Sequence, residues 1–297
     1  MKQLRGLSAF PITPSDASGR IDLGALRAVI APLIAAGSDS IGLLGSTGTY
    51  PFFSREERRR AVEATVEQAG GKSAVLVGVG ALRTDDAVKL AQDARAAGAA
   101  AGLLAAVSYT PLTDDEVFEH FKIVAGESGL PICIYDNPST THFRFTPALV
   151  GRIAKLPGVI AVKGGAPEPS AVAAHLDELR KAVPAEFSVG YSADWNCAEA
   201  LIAGGDTWYS VVGGICPRIS LRIVRAAQNG DAATARRLNE YLEPVWQLFR
   251  TYSSLRVVYA MAELKGLCKA APPRPVLPLS AEARRKVAEV VAKLDLA

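Results

Sequence analysis

A chain of 297 residues is long enough to form one large α/β barrel with an appendage, and it is too long for a small disulfide-stabilised scaffold. Hydrophobic residues make up 49% and charged residues 21%, which is typical of a globular protein and excludes intrinsic disorder. The formal net charge of +3 is too small to predict nucleic acid as the main partner, so a small-molecule substrate is expected instead.

Cysteine and histidine are used sparingly. The four cysteines form no CxxC pair and lie in apolar stretches, which predicts buried thiols in a reducing compartment. The three histidines are far apart in sequence, so no metal site is expected. Pro11 and Pro14 interrupt the first apolar run, and no stretch approaches the roughly 18 to 20 apolar residues that span a bilayer. We therefore expect a soluble, cytoplasmic protein with no membrane partner.

Helical and strand patterns alternate along most of the chain. The first predicted helix ends at Gly37, and one of its faces is apolar, at residues 26, 29, 30, 33 and 34. Ser54, with two glutamates close behind it, predicts the start of the second helix. Eight short apolar runs are predicted strands, each followed by a helical pattern: residues 7–10, 41–44, 74–79, 101–106, 132–135, 159–163, 187–190 and 207–212.

This repeated strand–helix unit indicates the fold class. Strands that are apolar throughout are buried on both faces, and strands separated by helices run parallel. A (β/α)8 barrel and a doubly wound open sheet both satisfy these conditions, and eight repeats in about 225 residues favour the barrel. Beyond residue 229 the pattern is helical only. We predict a (β/α)8 TIM barrel over residues 1–229 and a C-terminal helical region over residues 230–297.

Lys163 is the strongest nucleophile at a predicted strand end. In a parallel barrel the site lies at the carboxyl ends of the strands, and Lys163 ends the sixth apolar run. A lysine there is commonly just a solvated strand terminus. If it lies in the barrel mouth instead, burial favours a neutral amine that attacks a ketone to form a Schiff base. Gly164 and Gly165 would leave room above it for a substrate.

Hydroxyl groups follow three other predicted strands. Tyr135 ends the fifth, Tyr109 follows the fourth, and Ser46 and Thr47 follow the second. Each tyrosine alone is typical of a core aromatic residue, but beside a neutral lysine a phenol linked to a second hydroxyl can relay the protons of imine formation. The loop 45–48 also offers backbone N–H groups to a carboxylate, aided by the positive end of the helix expected next.

Four motifs follow one another in the chain: Gly-Ser-Thr-Gly at 45–48, Tyr109, Tyr-Asp-Asn-Pro at 135–138 and Val-Lys-Gly-Gly at 162–165. In this order and spacing they resemble the dihydrodipicolinate synthase and N-acetylneuraminate lyase family, and the resemblance covers essentially the whole chain. It implies an (α/β)8 barrel with a C-terminal helical region, a lysine-imine (class I aldolase-type) lyase, and a homotetramer built from tight dimers. No cofactor is expected.

The resemblance implies a role for each matching residue. Lys163 matches the lysine that forms an imine with pyruvate or another 2-oxo acid, and Tyr135 matches the tyrosine that relays protons. Ser46 and Thr47 match the hydroxyl pair of the carboxylate-binding loop. Tyr109 matches a tyrosine that crosses the tight dimer interface and completes the relay in the partner subunit.

Departures from the family pattern bear on the second substrate. Thr49 stands where family loops usually have glutamate, and Gly164 stands where an acidic residue is common. Thr140 stands where dihydrodipicolinate synthases have the arginine that binds the carboxylate of aspartate semialdehyde. The candidate substrate-binding residues are Thr140, Thr47, Gly45 and Gly48. Arg144 either replaces that arginine or is a solvated loop charge.

The missing arginine makes a 2-keto-3-deoxy sugar acid the expected substrate, in an aldolase or dehydratase reaction. The alternative is a synthase that condenses pyruvate with aspartate semialdehyde. Two further hypotheses concern other classes of function, a dinucleotide-binding protein and a non-catalytic regulator. Gly78-Val79-Gly80 resembles a dinucleotide-binding turn, but Arg83 occupies the position of its third glycine. A non-catalytic, regulatory barrel is the other, and Lys163 with both tyrosines argues against it.

Overall fold

A closed barrel of parallel strands forms the centre of the computed structural model, which describes residues 4–294. The strands are β1 (Gly6–Ala9), β2 (Ser40–Leu43), β3 (Ala74–Gly78), β4 (Ala101–Ala105), β5 (Ile132–Tyr135), β6 (Val159–Gly165), β7 (Ser188–Ser192) and β8 (Thr207–Ser210). Each strand pairs with the next in chain order, and β8 closes the barrel against β1. The predicted TIM-barrel fold is confirmed, and β1 to β5 agree with their predicted bounds to within one residue.

Strands β6 and β7 extend beyond their predicted ends, to Gly165 and Ser192. The extension forms because Gly164 pairs with Tyr191 and Gly165 pairs with Ser192. Glycine is a weak strand signal in a sequence, since it has no side chain to pack on the sheet. Neighbouring backbone in the barrel supplies the hydrogen bonds that the pattern alone did not indicate.

Strand β8 ends at Ser210, earlier than predicted. The N–H groups of Val211 and Val212 donate to the Asp194 carboxylate, at 3.2 Å and 2.7 Å, rather than to a neighbouring strand. The chain then forms a short turn over residues 212–214. A buried carboxylate therefore ends the strand, although the sequence there continues to be apolar.

Helices follow the strands around the barrel: α1 (Leu23–Ala36), α2 (Arg55–Ala69), α3 (Thr84–Ala96), α4 (Asp114–Ser128), α6 (Pro147–Ile153), α7 (Val172–Ala182), α8 (Cys197–Ile202) and α9 (Pro217–Gln228). The short α5 (Pro138–Thr141) lies instead at the carboxyl ends of the strands. The end of α1 and the start of α2 agree with the predicted signals. Asp22 accepts from the Ala25 N–H at 2.9 Å at the start of α1, and Gly37 ends that helix in the left-handed conformation with φ 78°. Ser54 caps α2.

The C-terminal region consists of α10 (Ala232–Tyr241), α11 (Glu243–Tyr252), α12 (Ser254–Leu264) and α13 (Ala281–Lys293). Its helices pack through buried apolar side chains, including Trp246, Val257 and Val287. The junction of α11 and α12 at Ser253 lies beside the carboxyl ends of the barrel strands. This region therefore contributes a wall to the space above the barrel.

The four cysteines form no disulfide with one another and are mostly buried. Cys133, Cys197 and Cys216 are buried, as predicted, whereas Cys268 is half-buried. Among residues 4–294, no cluster of three or more metal-binding side chains occurs. In the same part of the chain, no helix combines the length and the apolar character needed to cross a membrane.

Candidate active site

A cavity of about 1000 Å³ opens at the carboxyl ends of the strands. Its walls come from the loops after β2, β5, β6 and β7 and from the junction of α11 and α12. The structure brings five of the predicted site residues to this cavity: Lys163, Tyr135, Ser46, Thr47 and Thr140. Convergent polar groups in a large cleft are typical of a substrate site.

Lys163 lies in the barrel mouth and is only 4% exposed. Its Nζ atom lies 4.1 Å from the ring centroid of Phe10 and 4.2 Å from that of Tyr135. A Cβ atom added at Gly164 or Gly165 would meet nothing within 4 Å, so there is open space above the lysine. Lys163 is therefore a cavity residue and not a solvated strand terminus.

Tyr135 stands beside the lysine because β5 and β6 pair with Tyr135 opposite Lys163. The phenol is 3% exposed, and its Oη donates to Ser46 Oγ at 2.9 Å. The hydrogen bond links residues 89 positions apart in the chain. A phenol and a hydroxyl next to the amine form the pair that proton transfer to a reacting carbonyl requires.

The loop that carries Ser46 is tightly constrained. Leu44 and Thr49 flank it, and both are non-glycine residues with positive φ, 54° and 51°. A Cβ atom at Gly45 would lie 2.6 Å from the Phe10 ring, and one at Gly48 would lie 2.9 Å from the Leu44 backbone. Glycine is needed at both positions because the neighbouring atoms approach so closely.

Two backbone donors of this loop, the N–H groups of Ser46 and Thr47, make no hydrogen bond within the described residues. They are therefore free to donate to a ligand in the cavity. A single 3-10 turn, Tyr50–Phe52, follows the loop, and α2 then begins at Arg55 with Ser54 as its N-cap, as predicted. The contribution of this helix to carboxylate binding stays a prediction.

Tyr109 lies apart from this cluster. Its side chain is 97% exposed, and it is not among the residues that line the cavity. A tyrosine in this position buries almost none of its apolar ring within the subunit. Within one chain, the described residues therefore bring together Lys163, Tyr135 and Ser46 but not Tyr109.

The edge of the cavity near α5, called the rim here, carries Asp136, Thr140 and Arg144. Thr140 and Arg144 are the residues on which the prediction of the second substrate depends. Thr140 lines the cavity, and its Oγ1 donates to the Asn137 carbonyl at 3.2 Å. Arg144 is exposed and lines the same rim. Burial raises the pKa of Asp136 to about 6, although a hydrogen bond from the Phe145 N–H and the charge of Arg144 act in the opposite direction. The rim thus combines hydroxyl groups with a cation and a half-buried carboxyl.

Asp194 is a cavity residue that the sequence analysis missed. It is 3% exposed and accepts from the Trp208 indole at 2.9 Å as well as from the turn after β8. Burial raises the pKa of its carboxyl to about 6, while these hydrogen bonds and the charge of Lys163 act to lower it. Its position after the seventh apolar run, like that of Lys163 at the sixth, is the signal that could have identified it.

Comparison with known proteins gives one family. The sequence profile described as the dihydrodipicolinate synthetase family matches residues 3–294. The 4-hydroxy-tetrahydrodipicolinate synthase of Methylococcus capsulatus is 32% identical over 280 residues, which is 94% of this chain and 94% of that protein. The enzyme of the same name from Leptothrix cholodnii is 34% identical over 283 residues, covering 95% of this chain and 94% of the relative.

Solved structures agree with the sequence comparison. The dihydrodipicolinate synthase of Agrobacterium tumefaciens is 50% identical with a TM-score of 0.96, and 98% of each chain is covered. The dihydrodipicolinate synthase of Aquifex aeolicus is 28% identical with a TM-score of 0.92, and 99% of each chain is covered. The barrel and the helical region therefore match together. This chain belongs to the dihydrodipicolinate synthetase family and is a lyase of the lysine-imine, class I aldolase type.

Proposed function

We propose that Lys163 forms an imine with pyruvate or a related 2-oxo acid, and that the adduct then makes or breaks a carbon–carbon or carbon–oxygen bond. The observation that carries this proposal is the placement of one buried amine against Tyr135, in a cavity where the N–H groups of Ser46 and Thr47 have no partner in the described chain. Those two N–H groups suit the carboxylate of the 2-oxo acid.

Imine formation needs proton transfers, and the hydrogen bond between Tyr135 and Ser46 supports them. The amine of Lys163 attacks the C2 carbonyl, and the two protons that the nitrogen loses end on the oxygen that leaves as water. Tyr135 and Ser46, hydrogen-bonded to each other beside Lys163, are the groups proposed to carry these protons. The imine then draws electrons from C3, so that loss of a C3 proton gives an enamine that can attack an aldehyde; cleavage is the reverse of this step.

For the second substrate, we propose aspartate semialdehyde. The names of the curated relatives favour the synthase reaction over the sugar-acid reaction that the sequence analysis preferred. Arg144 on the cavity rim supplies a cation for the carboxylate of the aldehyde, in place of the arginine that Thr140 replaces. Charge-assisted, paired hydrogen bonds make arginine well suited to this role.

A 2-keto-3-deoxy sugar acid is the second candidate, and hydroxyl groups at the rim favour it. Ser139, Thr140 and Thr141 all line the cavity on α5 and match the hydroxyls of such a substrate. Two assays run side by side distinguish the candidates: condensation of pyruvate with aspartate semialdehyde, and pyruvate release from sugar acids coupled to lactate dehydrogenase. Release of 2-oxoglutarate semialdehyde would identify a dehydratase. Efficient cleavage or dehydration without condensation would overturn the synthase proposal.

Arg144→Gln should raise KM for aspartate semialdehyde about tenfold or more, because a charge-assisted contact to its carboxylate is lost. KM for pyruvate should stay nearly constant, since that substrate binds at Lys163. Steady-state kinetics with each substrate varied in turn measures both values. Arg152→Gln is the matched control, because Arg152 pairs with Asp115 on the outer surface and does not line the cavity. Equal effects of the two substitutions would rule out a substrate-binding role for Arg144.

Tyr109 should act in the site of a neighbouring subunit, which explains why so large a side chain is exposed in the single chain. We therefore expect weakly active Tyr109→Phe protein and inactive Lys163→Ala protein to regain part of the activity when mixed, because one kind of hybrid site has both residues intact. Activity after subunit exchange, followed by native mass spectrometry, measures the recovery. Proven exchange without recovered activity would place Tyr109 outside the relay.

A further inference from the structure

The relay phenol has a second hydrogen-bond partner. Asn137 Nδ2 donates to Tyr135 Oη at 2.9 Å, while Tyr135 Oη donates to Ser46 Oγ at 2.9 Å. Asn137 follows the end of β5 by two positions and lines the same cavity. The phenol oxygen therefore lies between an amide donor and a hydroxyl acceptor.

Helix capping would be the ordinary reason for an asparagine at this position. Asn137 directly precedes α5, and Pro138 occupies the first helical position, a combination typical of a helix start. Its side chain nevertheless makes no capping hydrogen bond. The Asn137 carbonyl accepts from the N–H groups of Thr140 and Thr141, at 2.9 Å and 3.0 Å, so the backbone holds the turn. The amide side chain is turned toward Tyr135 instead.

A second hydroxyl orients this amide. Ser139 Oγ donates to Asn137 Oδ1 at 2.7 Å, which directs the amide NH2 group toward the phenol. An amide NH2 group donates hydrogen bonds and does not accept them, so the proton of Tyr135 cannot point toward it. The hydrogen bonds thus run in one direction, from Ser139 through Asn137 and Tyr135 to Ser46.

We propose that Asn137 is a positioning residue of the proton relay. Its amide aims the O–H bond of Tyr135 at Ser46 and stabilises the negative charge that develops on Oη. In the transfer, the Tyr135 proton moves to Ser46 Oγ as the Ser46 proton moves to the substrate oxygen. The phenolate then recovers a proton released by the Lys163 nitrogen. A donor 2.9 Å from the atom that gains charge has the geometry of transition-state stabilisation. This inference rests on the proposed roles of Lys163 and Tyr135.

Two substitutions of Asn137 test the inference. Asn137→Ala should lower kcat about tenfold, the usual effect of one hydrogen bond to a charged group, and should change KM for pyruvate less than about twofold. Asn137→Asp is nearly isosteric and should lower kcat at least as much, because an ionised carboxylate cannot donate and opposes a phenolate. Wild-type turnover by Asn137→Asp would overturn the proposal.

A double-mutant cycle separates a role through Tyr135 from a general structural role. In a Tyr135→Phe background, Asn137→Ala should change the rate of imine formation less than about twofold, because the acceptor oxygen is already absent. That rate is measured by borohydride trapping with pyruvate and mass spectrometry, so weak turnover does not prevent the comparison. An equal loss in both backgrounds would contradict the inference. Failure of the unmodified protein to form any adduct on Lys163 would instead contradict the proposed function.

Discussion

Lys163→Met should abolish turnover, with a loss on the order of 10⁴-fold or more in kcat, and should leave the protein folded. The substitution removes the only group in the proposed mechanism that bonds covalently to the substrate. Methionine retains an unbranched apolar stem that can pack against Phe10 and Tyr135, the rings next to Lys163 Nζ. The thermal midpoint should therefore change little while activity is lost.

Covalent trapping gives a direct measurement of the same prediction. Incubation of the unmodified protein with pyruvate and borohydride, followed by peptide mass spectrometry, should place the reduced adduct on Lys163. Lys155, an exposed lysine before β6, is an internal control that should remain unmodified. An adduct mainly on another lysine, or none with any 2-oxo acid tested, would show that Lys163 is not the imine-forming residue.

Tyr135→Phe should lower kcat by roughly 10²-fold, the usual contribution of a positioned acid–base group. The variant keeps the ring against Lys163 and loses the hydroxyl that donates to Ser46. KM for pyruvate should change much less than kcat, because the N–H groups proposed to bind the carboxylate belong to another loop. Steady-state kinetics and the rate of adduct trapping should both report the loss.

Tyr209→Phe provides a matched control in the same barrel. Tyr209 is fully buried, its hydroxyl lies 3.5 Å from Cys133 Sγ, and its ring centroid is 6.0 Å from Lys163 Nζ. Removal of its hydroxyl should reduce stability rather than turnover. A similar loss of kcat in both variants, or a change in KM alone for Tyr135→Phe, would indicate that Tyr135 has a packing role.

The fold could be predicted because its signals are local. Apolar runs of strand length, helical periodicity and cap residues such as Gly37 and Ser54 all act within a few residues of one another. Lys163 and Tyr135 could be chosen as candidates for the same reason: each ends an apolar run, and parallel strands bring their carboxyl ends to one edge. The order of the motifs was enough to indicate the family.

Contacts between distant segments decided the strand ends, the exposure of side chains and the hydrogen-bond partners that the sequence did not predict. Asp194 ends β8 because its carboxylate captures N–H groups 17 and 18 positions further along the chain. Tyr109 is exposed because no other part of the described chain covers it, a fact that no pattern around residue 109 could indicate. Asn137 has the sequence context of a helix cap, yet its amide donates to Tyr135, which in turn donates to a serine on another strand's loop. Local sequence determined where the strands lie along the chain, whereas hydrogen-bond partners, and with them the last residues of β6, β7 and β8, depend on the contacts that form once the barrel has closed.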